Sequence, residues 1–371
     1  LIEAAILRPW RLGPIHFYRA GSGVPWAALP YNPPPMAEPR FLVGDIGGTN
    51  IRLATFRSDP RQREGEVIYR ANPQTNKPYH VLEALRDYRG KFQGEFSAAC
   101  LGVAGPIKDD EVQITNRPDL LRRKDVAEIL SVDSARVLLV NDMPPHLASV
   151  DRLLPGELIS IHPGEDDPHG TRGVLMPGTG VGTGGAVYVP NLSRHQTFPS
   201  EGGHVDFAPR DERQDRLLRF LRPVSEEMGI EFVANEFVLA GEGIRRIYAF
   251  LKNSDRFSMD DVPKGEEITT AAGGNLPADD LRHQTIDLYL QLLGAAAGNL
   301  ALLLAATGGI YLGGNICLSL RTVLATPPFL DAFLNSGPPT HRQWIHDVPV
   351  RLIDYKDSGL LGTGVLALGL V

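Results

Sequence analysis

Five polar side chains stand out by type and place: Asn141 and Asp142 in "VLLVND", Glu201 and His204 in "PSEGGHVDF", and Glu236 in "NEFVLAGEG". Together they suit the gripping of a polyol. Carboxylates accept from sugar hydroxyls, whereas Asn and His both donate and accept. Asn141 and Asp142 close an apolar run, and the end of a buried strand is a usual place for catalytic groups. Each residue taken alone also has a structural reading: Glu236 facing a helix dipole, His204 a satisfied core imidazole, Asp142 a cap.

Three glycine-rich turns follow apolar runs: Gly47-Gly48-Thr49, Gly178-Thr179-Gly180 and Gly313-Gly314. Glycine lets backbone N–H groups converge on an anion, and Thr49 and Thr179 add hydroxyls there. One such turn is ordinary hairpin chemistry; three point to phosphate. Asp45 stands just ahead of the first turn. A carboxylate there repels a nucleotide unless a cation lies between them, and Mg²⁺ takes one or two carboxylates plus phosphate oxygens and water. The alternative is a turn-forming Asp. "GVGTGG", with Glu201 21 positions after Gly180, imitates a dinucleotide fingerprint. The strand-like "AVYV" follows where that motif needs a helix, which argues against NAD. No G-x-x-x-x-G-K-[ST] occurs, which excludes a Walker-type site.

The elements that carry these residues alternate. "FLVGD", "NIRLATF", "GEVIYRA", "FSAACLGVAGPI", "EVQITN" and "ARVLLVND" read as strands, with helices at "KPYHVLEALRDYRG" and "KDVAEIL". Near residue 152 the grammar restarts with "GVLMPGTGVGTGGAVYV". Helices follow at "DERQDRLLRFLRPV", "EFVLAGEGIRRIYAFLKN" and about 284–306. Then come the strand "GGIYLGGNI", the strand "VRLIDY" and a last small-residue helix. "DRFSMDDVPKGEEITTAAGGNLPADD" reads as a surface excursion. This is a mixed α/β chain, duplicated into two lobes around a cleft.

The chain has 371 residues, 43% hydrophobic and 22% charged, with a net charge of −7. That argues against nucleic acid held by bulk electrostatics. Its two cysteines, Cys100 and Cys317, lie far apart, so a cysteine zinc site is excluded and a reducing, cytoplasmic setting is expected. The longest apolar stretch, residues 292–306, is too short for a bilayer and is expected to be a core helix; no membrane partner is expected. Residues 1–40, with three prolines at 33–35, read as a disordered or extended tail. Met36 stands five residues ahead of the first strand, where the natural start could fall.

From Phe41 to the C-terminus the chain resembles the bacterial-type glucokinases of the hexokinase–actin–Hsp70 superfamily. The resemblance rests on "GDIGGTNIRLA", "GVAGPI", "ITN", "VND", "PGTGVGTG", "SEGGHVDFAP", "EFVLAGEGI", "GNLAL", "GGIYLGGNI" and "GLLGTG", in that order. It implies a two-lobed actin-like ATPase (ribonuclease H-like) fold: residues 41–151 with about 357–371 as a small α/β lobe and 152–356 as a large one. It implies ATP-dependent phosphorylation of glucose at the 6-hydroxyl, and a homodimer. Asp142 then resembles the general base, and Asn141, Glu201, His204 and Glu236 the sugar ligands. Gly47, Gly48, Thr49 and Asn50 resemble the first phosphate loop, Gly178, Thr179 and Gly180 the second, and Gly313 and Gly314 the adenosine motif. Asp45 would meet Mg²⁺ through water. Three positions depart from the pattern: Met143 for an aromatic, Asp119 for a tryptophan and Asn315 for an isoleucine. Other readings are a kinase for another hexose, a sugar-responsive regulator of the same fold, and an actin-like ATPase.

Overall fold

The computed structural model describes residues 38–371 apart from Thr49, 71–78, Gln93, Asn116 and 272–275. Most of the expected tail, and Thr49 of the first glycine turn, therefore lie outside the described residues.

The first half begins with β1 (Phe41–Ile46) and β2 (Ile51–Phe56), an antiparallel pair across the first glycine turn. Next come β3 (Glu64–Tyr69), α1 (Val81–Lys91) and β4 (Ala98–Val103). Short strands β5 (Ile107–Lys108), β6 (Glu111–Gln113) and β7 (Leu120–Arg122) form a small sheet of their own. Then follow α2 (Arg123–Leu130), β8 (Val137–Asn141) and α3 (Met143–Ser149). The main sheet has the order β3-β2-β1-β4-β8, with β1, β4 and β8 parallel.

The second half contains β9 (Leu158–His162), β10 (Arg172–Pro177), β11 (Val181–Val189) and β12 (Arg194–Ser200). Helices α4 (Glu212–Glu227), α5 (Glu236–Leu239), α6 (Gly241–Lys252), α7 (Gly265–Ala271) and α8 (Leu281–Leu304) come next. They are followed by β13 (Ile310–Leu312), α9 (Gly314–Ser319), α10 (Pro327–Leu334), α11 (Arg342–Asp347) and β14 (Val350–Ile353). The order β12-β11-β10-β13-β14 repeats the first sheet strand for strand, direction included, and β9 adds an antiparallel edge. The chain ends with α12 (Ser358–Ala367).

Period-two alternation explains the layers. In the first sheet Leu42, Ile46, Leu53, Ala99 and Leu101 pack in the core beneath α1 and α2. Their neighbours Phe41, Val43, Ala54 and Cys100 pack instead with Leu360 and Ala367 of α12. In the second sheet Leu175, Ile310, Leu312 and Leu352 face the core built around α8. Val174, Met176, Tyr311 and Ile353 face Leu147 and Val150, at the end of α3 and just beyond it. Thus α12 and α3 lie between the two sheets, and α3 touches the second sheet directly. Helix α8 has the length and composition of a membrane span. Here it is the core helix: Leu288, Tyr289, Leu293, Ala297 and Ala301 are fully buried. Truncating one such leucine to alanine costs about 2–5 kcal/mol.

The excursion expected at 255–280 is not wholly surface. It contains α7, whose Ile268 and Thr269 are buried, a helix too short to show a clear 3.6-residue period. The helix read across "EFVLAGEGIRRIYAFLKN" is two helices, broken at Ala240, whose ψ of 170° is extended. Gly313-Gly314 is a strand-to-helix junction rather than a hairpin turn.

Candidate active site

The same alternation builds the site. Asp45 continues the parity of Phe41 and Val43, and so lies on the face of β1 that looks toward α12. Its cross-strand partner is Arg52. Arg52 Nη2 donates to Glu66 Oε1 at 2.8 Å and to Asp357 Oδ1 at 2.7 Å, and Arg63 Nη2 donates to Asp357 Oδ2 at 2.6 Å. Burial raises the Asp45 carboxyl above its ordinary range; Arg52 opposes the shift and Asp357 adds to it. A half-buried carboxylate so placed is stabilised by any cation that comes to it.

Asp142 occupies the N-cap position of α3, yet its side chain makes no capping bond, so the cap reading fails. Burial first, then the charge of Asp45 and, less strongly, that of Glu201 push its carboxyl up to about 6; its own backbone N–H opposes them. A carboxylate poised near neutrality is matched to accepting a proton. Asn141 is placed differently. Along β8 it shares the parity of Val137 and Leu139, which belong to the core under α1 and α2. Its Nδ2 donates to the Gly105 carbonyl at 3.2 Å, and its Oδ1 accepts from Met143 N at 3.1 Å. Part of the amide therefore holds the "GVAGP" loop against the start of α3.

The remaining polar residues gather around Val181. Glu236 opens α5 and its Oε2 accepts from Val181 N at 3.1 Å, beside Gly180. Gly203 packs on the Val181 carbonyl so closely that a methyl group there would overlap it. The turn Glu201–His204 is further pinned by Gly202 N, which donates to Thr183 Oγ1 at 2.8 Å. Glu201 and His204 are exposed, 3.8 Å apart at Oε2 and Nε2. Met143, next to Asp142, seats its sulfur against Gly182. The start of α3, Glu236 and the 201–204 turn thus converge on the first residues of β11.

The first glycine turn closes with Gly47 N donating to the Asn50 carbonyl at 3.0 Å. The second closes with Gly178 N donating to Gly180 O at 2.8 Å, and Gly241 N donates to Gly178 O at 2.9 Å. Gly314 has φ +81° and lies against the Pro177 carbonyl. Beside the second turn a cavity of about 1180 Å³ opens, lined by Gly178, Thr179, Arg245, Lys264, Asn315 and Arg321 among others. Sequence reasoning missed the contributions of α6 and α7. The "GEG" at 241–243 was the available signal, since Gly241 is the residue that α6 presents to Gly178.

Asp119 is buried, and both its carboxylate oxygens are engaged within the protein. Its Oδ2 accepts from Arg117 Nε at 2.8 Å, its Oδ1 accepts from Val81 N at 3.2 Å, and His80 pairs with it. It anchors the first turn of α1.

A family model described as Glucokinase matches residues 42–369. The chain belongs to the glucokinase family. The curated glucokinase of Sinorhizobium medicae is 31% identical over 334 residues, 88% of this chain and 91% of that protein. Among solved structures, a glucokinase from an Antarctic psychrotroph superposes with a TM-score of 0.73 at 25% identity, over 89% of this chain and 99% of that one. A ROK-family glucokinase from Streptomyces griseus, in complex with glucose and AMPPNP, gives 0.56 at 18% identity, over 89% of this chain and 99% of its own. The duplicated sheets are therefore the actin-like ATPase fold of these sugar kinases, and family membership carries glucokinase activity.

Proposed function

We propose that the chain transfers the γ-phosphoryl group of ATP in line to the 6-hydroxyl of glucose, with Asp142 as general base. The observation that carries this reading is Asp142 itself. Its uncapped carboxyl is raised to about 6 and influenced by the charges of Asp45 and Glu201. Such a reaction needs positioning and charge neutralisation more than covalent help. Asp142 takes the proton as the hydroxyl attacks phosphorus, a contribution of about 10²–10⁴-fold. Glu201, His204, Glu236 and the free hydrogen-bonding capacity of Asn141 hold the sugar. The turns at Gly47–Asn50 and Gly178–Gly180 hold the phosphates through backbone N–H groups. The nucleoside occupies the cavity between Gly178 and Arg321, beside Gly313 and Gly314.

Magnesium fits the donor set. Among the described residues no group of three or more His, Cys, Asp or Glu is arranged for a metal. The Asp45 carboxylate, close enough to act on Asp142, suits an ion which takes one or two carboxylates and completes its shell with phosphate and water. Asp45 would hold it through water, and when bound it neutralises phosphate charge. We also read residues 41–151 with 357–371 as one lobe closing on 152–356, which would exclude water as a competing acceptor. A homodimer in the cytoplasm completes the reading.

A coupled glucose 6-phosphate assay across a panel of hexoses and phosphoryl donors tests this function. Glucose with ATP is expected to give the highest kcat/KM. Asp142→Asn is expected to bind glucose normally and to lose nearly all turnover. Equal loss of binding and rate would make Asp142 chiefly a sugar ligand.

A further inference from the structure

His146 is a half-buried titratable side chain that the reaction above leaves without a task. It lies one helical turn beyond Asp142 on α3. Its Nδ1 is 2.8 Å from Ser358 Oγ, on the first residue of α12. Its other edge faces Gly359. A methyl carbon on that glycine would stand 3.2 Å from His146 Cε1, 3.4 Å from Nε2 and 3.5 Å from Oδ2 of Asp45. The bare glycine is what lets the imidazole and the Asp45 carboxylate approach one point. Burial pushes the imidazole down to about 4, so near pH 7 it is neutral, with one nitrogen donating and the other accepting.

The rest of this first turn is set by shape. A methyl group on Gly362 of α12 would overlap the Pro145 carbonyl, and one on Gly102 of β4 would stand 3.3 Å from Pro145 Cγ. Gly182 of β11 receives Met143. Close packing fixes how near α3 comes to its neighbours, but it constrains rotation about the helix axis less than a hydrogen bond does, because a hydrogen bond is directional. The His146–Ser358 contact supplies that direction. Its anchor is firm, because the adjacent Asp357 is gripped by Arg52 and Arg63, and Arg52 is the strand partner of Asp45.

We propose that His146 and Ser358 are a positioning pair that fixes the rotation of α3 and so aims the Asp142 carboxylate relative to Asp45. The inference rests on the reading of Asp142 as the base. The proposed reaction gives neither residue a substrate contact. Their effect falls on the orientation of a reacting group, where small angular errors are costly.

The test is a kinetic series with melting curves for every variant. His146→Leu and Ser358→Ala are each expected to lower kcat about tenfold or more, with KM for glucose and for ATP within about twofold. His146→Asn, whose amide reaches the place of Nδ1, restores most of kcat. The double variant H146L/S358A is no slower than the worse single variant, as expected if both act through one contact. If His146→Leu does not fold, Ser358→Ala against Ser358→Thr, which keeps a hydroxyl, gives the same comparison. Wild-type kcat in Ser358→Ala overturns the proposal. So does an equal loss in the Leu and Asn variants that tracks their melting temperatures. Asp142→Asn run alongside separates the two ideas: if it turns over, the base reading fails whatever His146 does. If it is dead while the pair variants are fully active, only the positioning role fails.

Discussion

The carboxylate of Glu236 accepts a hydrogen bond from the backbone N–H of Val181, 3.1 Å away, where β11 leaves the second glycine turn. The Val181 carbonyl in turn abuts Gly203, in the turn that carries Glu201 and His204. One backbone residue therefore joins the proposed sugar set to the proposed phosphate turn. Glu236→Ala would leave the Val181 N–H without its charged partner, a loss of roughly 1.5–3 kcal/mol for a bond to a charged group. The expected outcome is a rise in KM for ATP as well as for glucose, while Glu236→Gln, which keeps an acceptor, loses less. Initial rates measured with both substrates varied decide it. A change confined to the glucose KM would show that the two sites are not coupled here.

Asp142 gives a pH prediction with a definite sign. Its carboxyl is raised to about 6, by burial first and by neighbouring negative charge second. A base must be ionised, so kcat/KM should fall on the acid side around pH 6 rather than near 4. The same shift acts on stability. A carboxyl whose pKa is higher folded than unfolded favours the fold most when protonated, below its unfolded value. That contribution is lost as pH rises through 6. At neutral pH the ionised group therefore costs the fold on the order of 2 kcal/mol, after discounting for its partial exposure. Asp142→Asn should melt higher than the wild type at pH 7.5, and the advantage should vanish below about pH 4. Thermal unfolding across that range checks it.

Much of this was legible because two periodicities coincide. Strand parity alone places Asp45 with Phe41 and Val43, on the face that meets α12. The repeat of strand, glycine turn and strand at 41–56 and 173–189 foretold the second sheet. The edge strand β9 and the strand β12 were not foreseen, because an edge strand is only partly buried and lacks a full apolar face. Helix α7 was hidden for a related reason, since two buried side chains do not make a period. The engagement of Asn141 with Gly105 and of Asp119 with Val81 depends on segments meeting at long range, which no local pattern encodes.

Gly314 and Gly178 should separate strain from access. Gly314 has φ +81°, and a methyl carbon there would stand 2.6 Å from the Pro177 carbonyl oxygen. Gly314→Ala is expected to cost about 1–3 kcal/mol and to displace α9. KM for ATP should rise while KM for glucose holds. At Gly178 a methyl carbon would meet nothing within 4 Å. Gly178→Ala should therefore leave the melting temperature unchanged and still raise KM for ATP, because the space it fills is the space proposed for phosphate. Equal melting losses in both variants would contradict this distinction.

Arg61 ties together the two places where the chain passes between its halves. Its Nη1 and Nη2 donate to Oε2 and Oε1 of Glu157 at 3.0 and 2.6 Å, and Nη1 also donates to the Arg152 carbonyl at 2.9 Å. The guanidinium lies 5.0 Å from the ring centre of Tyr355, on the return segment toward α12. Glu157 meanwhile accepts from Leu154 N at 2.7 Å, and its own carbonyl accepts from Asp354 N at 2.8 Å. One side chain thus braces both crossings, in a fork that lysine cannot reproduce. Because the pair is about one-fifth exposed, Arg61→Lys should cost only about 1 kcal/mol of stability. Its larger effect should fall on the spread of lobe angles. Small-angle scattering is expected to show a larger radius of gyration for the glucose-free variant than for the wild type, and matching radii once glucose is bound. If the two proteins match in both states, the fork adds stability without setting the hinge.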